Sequence, residues 1–406
     1  MKDGLDAYII DAVRTPRGAA REGGALQQVK SIHLLKPLYQ ELGQRLGPAL
    51  DEVSDVVLGC VTAVGDQGAN IAKISALFAD WPESISGMTL NRFCASGLDA
   101  VTLAAVKVHS SMENIVVAGG VESMSRVPLL KDRGAWFADP EVSEKTGFLH
   151  MGISADLVAT QGGISREEAD RYALASHQRA ARAQAEGRFA HSIIPVRSRD
   201  GAVLLDHDES VDLEMTAAKL SSEKLAFPGI AEDGGEALIR KKYPALKEMN
   251  YIHTNLSSPA RVDGAALVAI ANRATIDRLA VKPRAQILSY AHASVEPVLM
   301  LTGAVLAAKN ALAKADLHPG MIDLWEVNES FAGTVIDFMN KLELDSERVN
   351  VNGGAIALGH ALGATGSILV GSLMDELDRQ DLRYGCVAIC AGAGIGQAIV
   401  IERIKA

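Results

Sequence analysis

Short apolar runs alternate with amphipathic segments along the first third of the chain. The apolar runs predict buried strands at Ala7 to Ala12, Asp55 to Val61 and Ile115 to Gly120. Between them, apolar residues recur at helical spacing, which predicts helices at Ser31 to Leu46 and Ile71 to Ala79. Strands that alternate with helices are typical of an α/β fold whose mostly parallel sheet is covered on both faces.

A polar turn, NRFCASGLDA at Asn91 to Ala100, joins a further predicted strand, which ends with Gly87 to Leu90, to a further helical pattern. Cys94 is therefore expected at a helix N-terminus. There, unpaired N–H groups and the helix dipole favour a thiolate and lower the thiol pKa below its free value of about 8.5. A Cys in a tight turn can also be a small buried residue. Ser96 and Gly97 favour a nucleophile, because small neighbours let a substrate carbonyl approach the sulfur.

The pattern loosens between about Arg126 and Arg261, where helices such as Arg166 to Glu186 stand among polar turns. Within this stretch, Ile230 to Lys242 is predicted to be an acidic, Gly-rich insertion. Long irregular segments of this kind are often lids or binding loops, so we predict a loop domain that covers a site.

The last third of the chain repeats the order of the first. Strands of the first third have predicted counterparts at Ala285 to Tyr290, Ile322 to Val327 and Cys386 to Cys390. An internal duplication is therefore predicted, with equivalent turns that meet at a pseudo-twofold axis. By that symmetry, Cys94 and His360 begin equivalent helices and face one cavity.

Two further side chains follow predicted strand ends near this cavity. His360 lies in NGGAIALGHALGATG. A lone His is more often structural, but so many small neighbours have no evident packing role, and a thiol nucleophile needs a base that works near neutral pH. Asn328, after the strand Ile322 to Val327, can hold a water or an oxyanion, or simply cap the helix predicted near Ser330.

Cys390 ends the last predicted strand and is followed by AGAGIG. These glycines do not form a dinucleotide fingerprint, because Ile399 stands where the third Gly should be. A Gly-rich turn at a strand end can instead direct backbone N–H groups at an oxyanion, and a second thiol can act as acid and base. A Cys, a His, an Asn and a second Cys at strand ends of a duplicated sheet indicate covalent acyl transfer.

The composition excludes several classes of protein. With 406 residues, 48 % of them hydrophobic and 22 % charged, the chain is typical of a soluble enzyme of two or three lobes. A net charge of −10, with dispersed basic residues, argues against nucleic-acid binding. No apolar run reaches the roughly 18 residues that span a bilayer and no targeting segment is recognised, so we expect a cytoplasmic protein without membrane insertion. The 4 cysteines are too few for a disulfide framework, and Cys386 and Cys390 lack a zinc spacing, so no metal is expected.

The chain resembles the thiolase family, which includes acetyl-CoA acetyltransferases and 3-ketoacyl-CoA thiolases. The similar stretches span nearly the whole chain: AVRTPRG, NRFCASGLDA, VAGGVESMSRVP, HMGISAD, VDGAA, NESFAG, GGAIALGHALGATG and CAGAGIG. The resemblance implies a thiolase-like α/β fold, in which two duplicated βαβαβαββ halves form a five-layered αβαβα core with an inserted loop domain. The implied domains are residues 1–125 with 262–283 for the N-terminal half, 126–261 for the loop domain and 284–406 for the C-terminal half.

The resemblance also implies residue roles. Cys94 is acylated, His360 activates it, and Cys390 handles the proton of the second substrate's α-carbon or thiol. One oxyanion hole is implied from His360 and a water held by Asn328, and another from the backbone N–H groups of Cys94 and Gly392. Contacts with coenzyme A are implied for Met151, Ser154, Ser258 and Phe331.

A thiolase cleaves 3-ketoacyl-CoA with CoA, giving acetyl-CoA and a shortened acyl-CoA, or condenses two acetyl-CoA to acetoacetyl-CoA. We expect CoA and acyl-CoA as substrates, no permanently bound cofactor, and a homodimer or homotetramer; an association with a multienzyme partner of β-oxidation is also considered. The alternative is a thiolase-fold CoA-binding or scaffold protein with little turnover. A β-ketoacyl synthase is disfavoured, because those enzymes pair Cys with two His residues, whereas Asn328 and Cys390 occupy the partner positions here.

The chain departs from the family pattern mainly where CoA is bound. Ala361, Ser330 and Ala393 replace the Pro of GHPLGATG, the Ala of NEAF and the middle Gly of CAGGG. Asp212 stands where the family has an Arg, and Pro259 where it has the serine of an NxSG turn. An aspartate at position 212 is expected to repel the nucleotide phosphates and weaken CoA binding.

Overall fold

The computed structural model describes residues 4–405 and, among them, every side chain except those of residues 232 and 233. The strands within this range are β1 Tyr8–Arg14, β2 Gly18–Ala19, β3 Val53–Gly59, β4 Ser86–Leu90, β5 Ile115–Ser123, β6 Val196–Arg197, β7 Val203–Leu205, β8 Val262–Ala271, β9 Ala285–Ser294, β10 Leu324–Val327, β11 Tyr384–Cys390 and β12 Ile395–Arg403. The α-helices are α1 Ser31–Leu46, α2 Ile71–Phe78, α3 Ser96–His109, α4 Ala135–Ala138, α5 Pro140–Thr146, α6 Met151–Gly162, α7 Arg166–Ala185, α8 Ala217–Ser222, α9 Pro228–Ile230, α10 Glu236–Lys242, α11 Arg273–Leu279, α12 Gly303–Lys314, α13 Ala332–Leu342, α14 Ala355–Leu358 and α15 Leu362–Arg379.

The strands of the first and last thirds form two halves of one mixed sheet. The order is β4-β3-β5-β8-β1 in the N-terminal half and β10-β11-β12-β9 in the C-terminal half, and β1 pairs with β9 where the halves meet. Val349 forms a parallel bridge with Trp325 of β10, at the position that β4 has beside β3 in the other half. β8 is antiparallel to its neighbour β5 in the N-terminal half, and β12 is likewise antiparallel to its neighbour β11 in the C-terminal half. The shared order confirms the predicted duplication.

Helices form three layers around the two half-sheets. α3 and α15 lie between them, where Leu98, Val116 and Val387 belong to one buried core. α1 and α2 cover the outer face of the N-terminal half, and α12 and α13 cover that of the C-terminal half. These five layers confirm the predicted αβαβα core, which buries apolar residues on both faces of each half-sheet.

The central helices approach each other closely through glycines. A Cβ on Gly366 of α15 would lie 2.1 Å from the backbone nitrogen of Leu98, and one on Gly97 of α3 would lie 2.7 Å from the carbonyl oxygen of Gly363. Any side chain at these positions would force the helices apart. The expectation that the small residues around the predicted base have no packing role was therefore wrong: they bring the N-terminal ends of α3 and α15 together.

The predicted element ends are close to the observed ones, and one difference has a clear cause. α1 has the predicted bounds, whereas β3 is Val53–Gly59 instead of Asp55 to Val61. The N–H of Val61 donates to the Glu122 carboxylate at 2.9 Å instead of joining the sheet. The buried carboxylate takes over backbone groups that would otherwise extend the strand.

The stretch between the halves contains α4 to α10 and the small β6-β7 ribbon. Part of the predicted Gly-rich insertion is helical, since α10 spans Glu236–Lys242. The domain boundaries remain a prediction, and residues 1–3 and 406 of the proposed domains lie outside the described residues. No helix in the described part of the chain is both long and apolar enough to cross a membrane.

Candidate active site

One cavity of 290 Å³ lies where the ends of the strands and the starts of the central helices converge. Its lining includes these predicted site residues: Cys94, His360, Cys390, Gly392, Met151, Ser258 and Phe331. Two predicted site residues are not among the lining. Ser154 is fully buried and its hydroxyl donates to the Val298 carbonyl at 2.9 Å. The Asn328 side chain, 2 % exposed, lies behind Ser330.

The Cys94 turn is held by hydrogen bonds within the segment between β4 and α3. The Phe93 N–H donates to Asn91 Oδ1 at 2.8 Å, and the Arg92 N–H donates to Ser96 Oγ at 2.8 Å. Phe93 lies in the left-handed region, with φ +50°. Such a conformation in a bulky residue is strained, and here it turns the chain so that Cys94 reaches the cavity.

The Cys94 thiol does not have the low pKa expected from a helix N-terminus. Burial raises its pKa to about 12, and the neighbouring Cys390 adds to the rise. The backbone N–H groups of Cys94 and Gly392 act on the sulfur in the opposite direction. The prediction of a lowered pKa was wrong because α3 begins only at Ser96, and the loss of hydration outweighs the helix N-terminus. Cys94 is therefore a thiol at rest and needs a base.

His360 lines the same cavity and has a ring nitrogen that is free to accept a proton. Its Nδ1 lies 2.7 Å from Thr365 Oγ1, and its Nε2 is buried without a hydrogen-bond partner among the described residues. When Nδ1 donates to the Thr365 hydroxyl, Nε2 keeps a free lone pair. Burial lowers the pKa of His360 to about 4, helped by the positive charge of Arg17. The imidazole is neutral at physiological pH and can accept a proton.

The backbone before His360 fixes this side chain in the site. Gly359 has φ +96°, and a Cβ there would lie 2.2 Å from Val262 Cγ1, so only glycine fits. The His360 N–H donates to the Ala260 carbonyl at 2.8 Å. Arg17 Nη1 donates to the Gly359 carbonyl at 3.2 Å. The turn is thus tied to the residues just before β8 and to the segment between β1 and β2.

Cys390 ends β11 beside a second turn. Burial raises the pKa of this thiol to about 11, and a hydrogen bond with Ser330 opposes the rise. The two side chains are 3.1 Å apart, from Cys390 Sγ to Ser330 Oγ. In the turn after Cys390, Gly392 directs its N–H at Cys94, and Ala393 lies in the left-handed region with φ +58°. A second thiol and a backbone donor therefore face the nucleophile.

Asn328 and Glu329 point in different directions after β10. The Asn328 amide donates from Nδ2 to Ser330 Oγ at 3.0 Å; it does not cap α13, whose N-cap is Phe331. The Glu329 carboxylate is fully buried and accepts hydrogen bonds from Tyr172 and Ser176 of α7. Glu329 thus ties a helix of the loop segment to the catalytic core, while Asn328 supports the cavity wall.

Sequence reasoning missed several residues at the site. Thr365 could have been found, because it follows His360 by about one helical turn in a segment predicted to be helical. Arg17 lies in the family-like stretch AVRTPRG, but its bond to Gly359 could not be predicted, because it joins residues far apart in the chain. His150 and Arg261 also line the cavity. His150 begins the family-like stretch HMGISAD but was given no role, whereas Arg261 lies just before VDGAA and outside every such stretch.

Asp212, which the sequence predicted to repel the nucleotide phosphates, has a positively charged partner. Its carboxylate forms an ion pair with Lys219, and its backbone N–H donates to His177 Nδ1 at 3.1 Å. The negative charge is therefore largely compensated.

Within residues 4–405, no group of three or more His, Cys, Asp or Glu side chains is placed to hold a metal ion.

Comparisons with known proteins agree over the whole chain. Residues 7–234 match the family described as Thiolase, N-terminal domain, and residues 281–403 match Thiolase, C-terminal domain. The chain is 36 % identical to the 3-oxoadipyl-CoA/3-oxo-5,6-dehydrosuberyl-CoA thiolase of Escherichia coli strain K12, over 98 % of this chain and 100 % of that protein. It is also 36 % identical to the 3-ketoacyl-CoA thiolase of Bacillus subtilis, over 98 % and 99 %.

The fold agrees as well. The crystal structure of the Bacillus anthracis acetyl-CoA acetyltransferase superposes with a TM-score of 0.86 and 32 % identity, over 100 % of both chains. A family match of this extent, relatives above 30 % identity across nearly all of their length, and a shared fold lead to one conclusion. The chain belongs to the thiolase family, and thiolase activity, with CoA thioesters as substrates, is its function.

Proposed function

We propose that this thiolase cleaves 3-ketoacyl-CoA with CoA through a thioester on Cys94. The observation that carries the proposal is the convergence of two thiols, Cys94 and Cys390, and a neutral imidazole, His360, on one cavity. One thiol is needed to carry the acyl group and the other to move a proton at the α-carbon.

The first half-reaction breaks the bond between C2 and C3 of the substrate. The Cys94 sulfur attacks the C3 carbonyl while its proton passes to His360 Nε2, which has no other partner among the described residues. The N–H groups of Cys94 and Gly392 are placed to stabilise the oxyanion that forms there. As the C–C bond breaks, the Cys390 thiol gives its proton to C2 of the leaving enolate, and acetyl-CoA departs.

The second half-reaction transfers the acyl group to CoA. The CoA thiol loses its proton to the Cys390 thiolate and attacks the acyl thioester, so that the shortened acyl-CoA leaves and the Cys94 sulfur recovers its proton from His360. Each group returns to its starting state. The reverse sequence condenses two acetyl-CoA, with Cys390 removing the α-proton of the second molecule.

A mass measurement tests these roles. Incubation with acetyl-CoA should add one acetyl group, located on Cys94 by peptide mapping. The variant Cys390→Ala should still accumulate acetyl-Cys94 but form almost no acetoacetyl-CoA, because only the second step needs a base at the α-carbon. Complete loss of acylation in this variant would mean that Cys390 is required in the acylation step as well, and would contradict this division of roles. A wild-type protein that binds CoA without acylation would support the scaffold alternative.

Arg261 favours a narrower class of substrate, 3-ketoacyl-CoA with a carboxylate at the end of the acyl chain. Its side chain is exposed and lines the cavity, and no other described residue forms an ion pair with it. A guanidinium in this position can bind a carboxylate through two parallel hydrogen bonds. The name of the Escherichia coli relative refers to 3-oxoadipyl-CoA, which ends in such a group.

Two substrates of equal chain length test this assignment. We expect kcat/KM for 3-oxoadipyl-CoA to fall about tenfold in Arg261→Gln, while kcat/KM for 3-oxohexanoyl-CoA is nearly unchanged. Arg261→Lys is the matched control, since it keeps the charge without the paired donors. Its kcat/KM for 3-oxoadipyl-CoA should lie between the values of the wild type and of Arg261→Gln. An equal loss for both substrates would place Arg261 against the CoA portion instead.

We also propose that the chain forms a homodimer or homotetramer. β4 is an edge strand of the sheet, and Met88 on it is 37 % exposed beside Ile74, Leu77 and Phe78 of α2, at 46 %, 38 % and 39 %. An unpaired edge next to exposed apolar side chains is typical of a surface covered by a second copy. Light scattering after gel filtration tests this, and a monomer would contradict it.

A multienzyme partner and a cytoplasmic location stay predictions from the sequence.

A further inference from the structure

Ser330 stands between Asn328 and Cys390 in the wall of the cavity. It is 7 % exposed, and its backbone N–H donates to the Asn328 carbonyl at 2.9 Å, which fixes its position. Its hydroxyl oxygen lies 3.0 Å from Asn328 Nδ2 and 3.1 Å from Cys390 Sγ.

The direction of the two hydrogen bonds follows from the donors available. The Asn328 amide nitrogen can only donate, and it occupies one lone pair of the Ser330 oxygen. The hydroxyl hydrogen of Ser330 is then free to point at the sulfur of Cys390, the other polar atom in contact with it. A chain of two donors therefore ends on Cys390, and each bond polarises the next.

We propose that Ser330 is a positioning residue for Cys390: its hydroxyl, held by the Asn328 amide, donates a hydrogen bond to the Cys390 sulfur and stabilises the thiolate that forms there. The inference rests on the proposed function in one respect, that a Cys390 thiolate arises during turnover. A hydrogen bond to a charged acceptor is stronger than one to the neutral thiol, so Ser330 favours the ionised form.

The surroundings of Cys390 make this contribution important. Burial disfavours the thiolate, and besides the N–H of Cys390 itself, Ser330 is the group that favours it. The other titratable or charged side chains that line the cavity are Cys94, His360, His150 and Arg261. The neighbouring residues at the strand end, Asn328 and Ser330, carry no charge. A hydroxyl is therefore the chain's means of lowering the proton affinity of Cys390 without placing a permanent charge beside the substrate.

Alkylation of Cys390 measures its ionisation without any turnover. In a Cys94→Ala background, the rate of iodoacetamide alkylation at Cys390, followed by peptide mass across a pH series, reports the thiolate fraction. We expect Ser330→Ala to move this profile upward by about one pKa unit, so that alkylation at a given pH below the midpoint is about tenfold slower. Ser330→Thr, which keeps the hydroxyl, should restore the original profile.

A second buried serine provides the control. Ser289 is 5 % exposed, its hydroxyl donates to the Ala311 carbonyl at 2.7 Å, and it does not line the cavity. Ser289→Ala removes a buried hydroxyl without touching the cavity, and the Cys390 profile should not move. An unchanged or downward shift in Ser330→Ala would overturn the proposal, because it would mean that Cys390 donates to Ser330 and the hydroxyl stabilises the neutral thiol.

Turnover then separates this inference from the proposed function. With Cys94 restored, Ser330→Ala should condense acetyl-CoA about tenfold more slowly near neutral pH, with recovery at higher pH, and acylation should be slowed less than condensation. Absence of acylation in the wild-type protein would refute the proposed function while leaving the alkylation result valid. Equal slowing of both half-reactions at every pH would show that Ser330 only supports the fold, and would contradict the inference.

Discussion

The two turns that precede α3 and α15 occupy equivalent places in the duplicated fold but are built differently. The first runs from β4 through residues 91–95, with Phe93 in the left-handed region. The second runs from the bridge at Val349 through the short helix α14 and turns at Gly359. Cys94 and His360 nevertheless stand at the same position, two residues before the first residue of the central helix.

The difference lies in what surrounds each side chain. The Cys94 sulfur faces two backbone N–H groups, its own and that of Gly392, whereas His360 Nε2 has no hydrogen-bond partner among the described residues. In the proposed function, the first turn therefore provides a nucleophile with donors for an oxyanion, and the second a neutral base with a free lone pair. A duplicated scaffold thus gives two chemistries, because each half receives its polar groups from different segments.

The largest effect is expected from removing the side chain of the first turn. Cys94→Ala should abolish acylation and turnover with the fold intact, because this turn has no second nucleophile in the cavity that could carry the acyl group. Mass measurement after incubation with acetyl-CoA checks this. An acylated variant would show that the two turns do not divide the chemistry as described.

Removing the side chain of the second turn should slow the reaction instead of stopping it. His360→Ala is expected to reduce the acylation rate by roughly 10²- to 10⁴-fold, the usual contribution of a positioned base. Because its pKa is lowered to about 4, the wild-type imidazole remains neutral as the pH falls, and it is protonated only near that value. Acylation should therefore lose activity near pH 4, and a loss centred near the ordinary value of 6.5 would contradict the burial of Nε2.

A side chain that forces α3 and α15 apart should disturb both turns. Gly366→Ala places a Cβ 2.1 Å from the Leu98 nitrogen and should lower the free energy of unfolding by about 3 kcal/mol, together with activity. Gly371→Ala is the matched control on the same helix, since its Cβ would meet one atom, Ala12 Cβ, at 3.1 Å. Urea denaturation measures both, and similar values for the two variants would refute the packing role of Gly366.

Thr365→Val tests how the second turn orients its base. The change removes the hydroxyl that meets His360 Nδ1 at 2.7 Å while it preserves the shape of the side chain. We expect acylation to slow about tenfold with KM nearly constant, because the tautomer and the ring orientation are no longer fixed. A change confined to KM would show that Thr365 acts on substrate binding.

The smallest effect is expected in the turn of the C-terminal half that directs the Gly392 N–H at Cys94. Ala393, after Gly392, lies at φ +58°, where an L-residue with a Cβ is strained. Ala393→Gly should raise the free energy of unfolding by up to about 1 kcal/mol if relief of strain exceeds the added freedom of the unfolded chain. Thermal unfolding measures the change, and lower stability would mean that the alanine methyl packs usefully.

Local patterns in the sequence predicted the main strands and helices of the two halves, their order and the duplication. Periodicity is a local property, so α1 and the strand that ends at Cys390 could be predicted where they are found. The repeated order of strands and helices then required that Cys94 and His360 face one cavity. The same local patterns, with the motifs that resemble the thiolase family, identified seven of the residues that line it.

The chemical behaviour of those side chains could not be predicted from local patterns, because it depends on contacts made in the folded protein. The raised pKa of Cys94 depends on burial by distant segments, which outweighs the local helix N-terminus. The contact of Ser330 with Cys390 joins the ends of two different strands, and the bond of Arg17 to Gly359 joins the first strand region to the last third of the chain. Hydration, proton affinity and side-chain contacts are set by neighbours that are remote in sequence, and local periodicity carries no record of them.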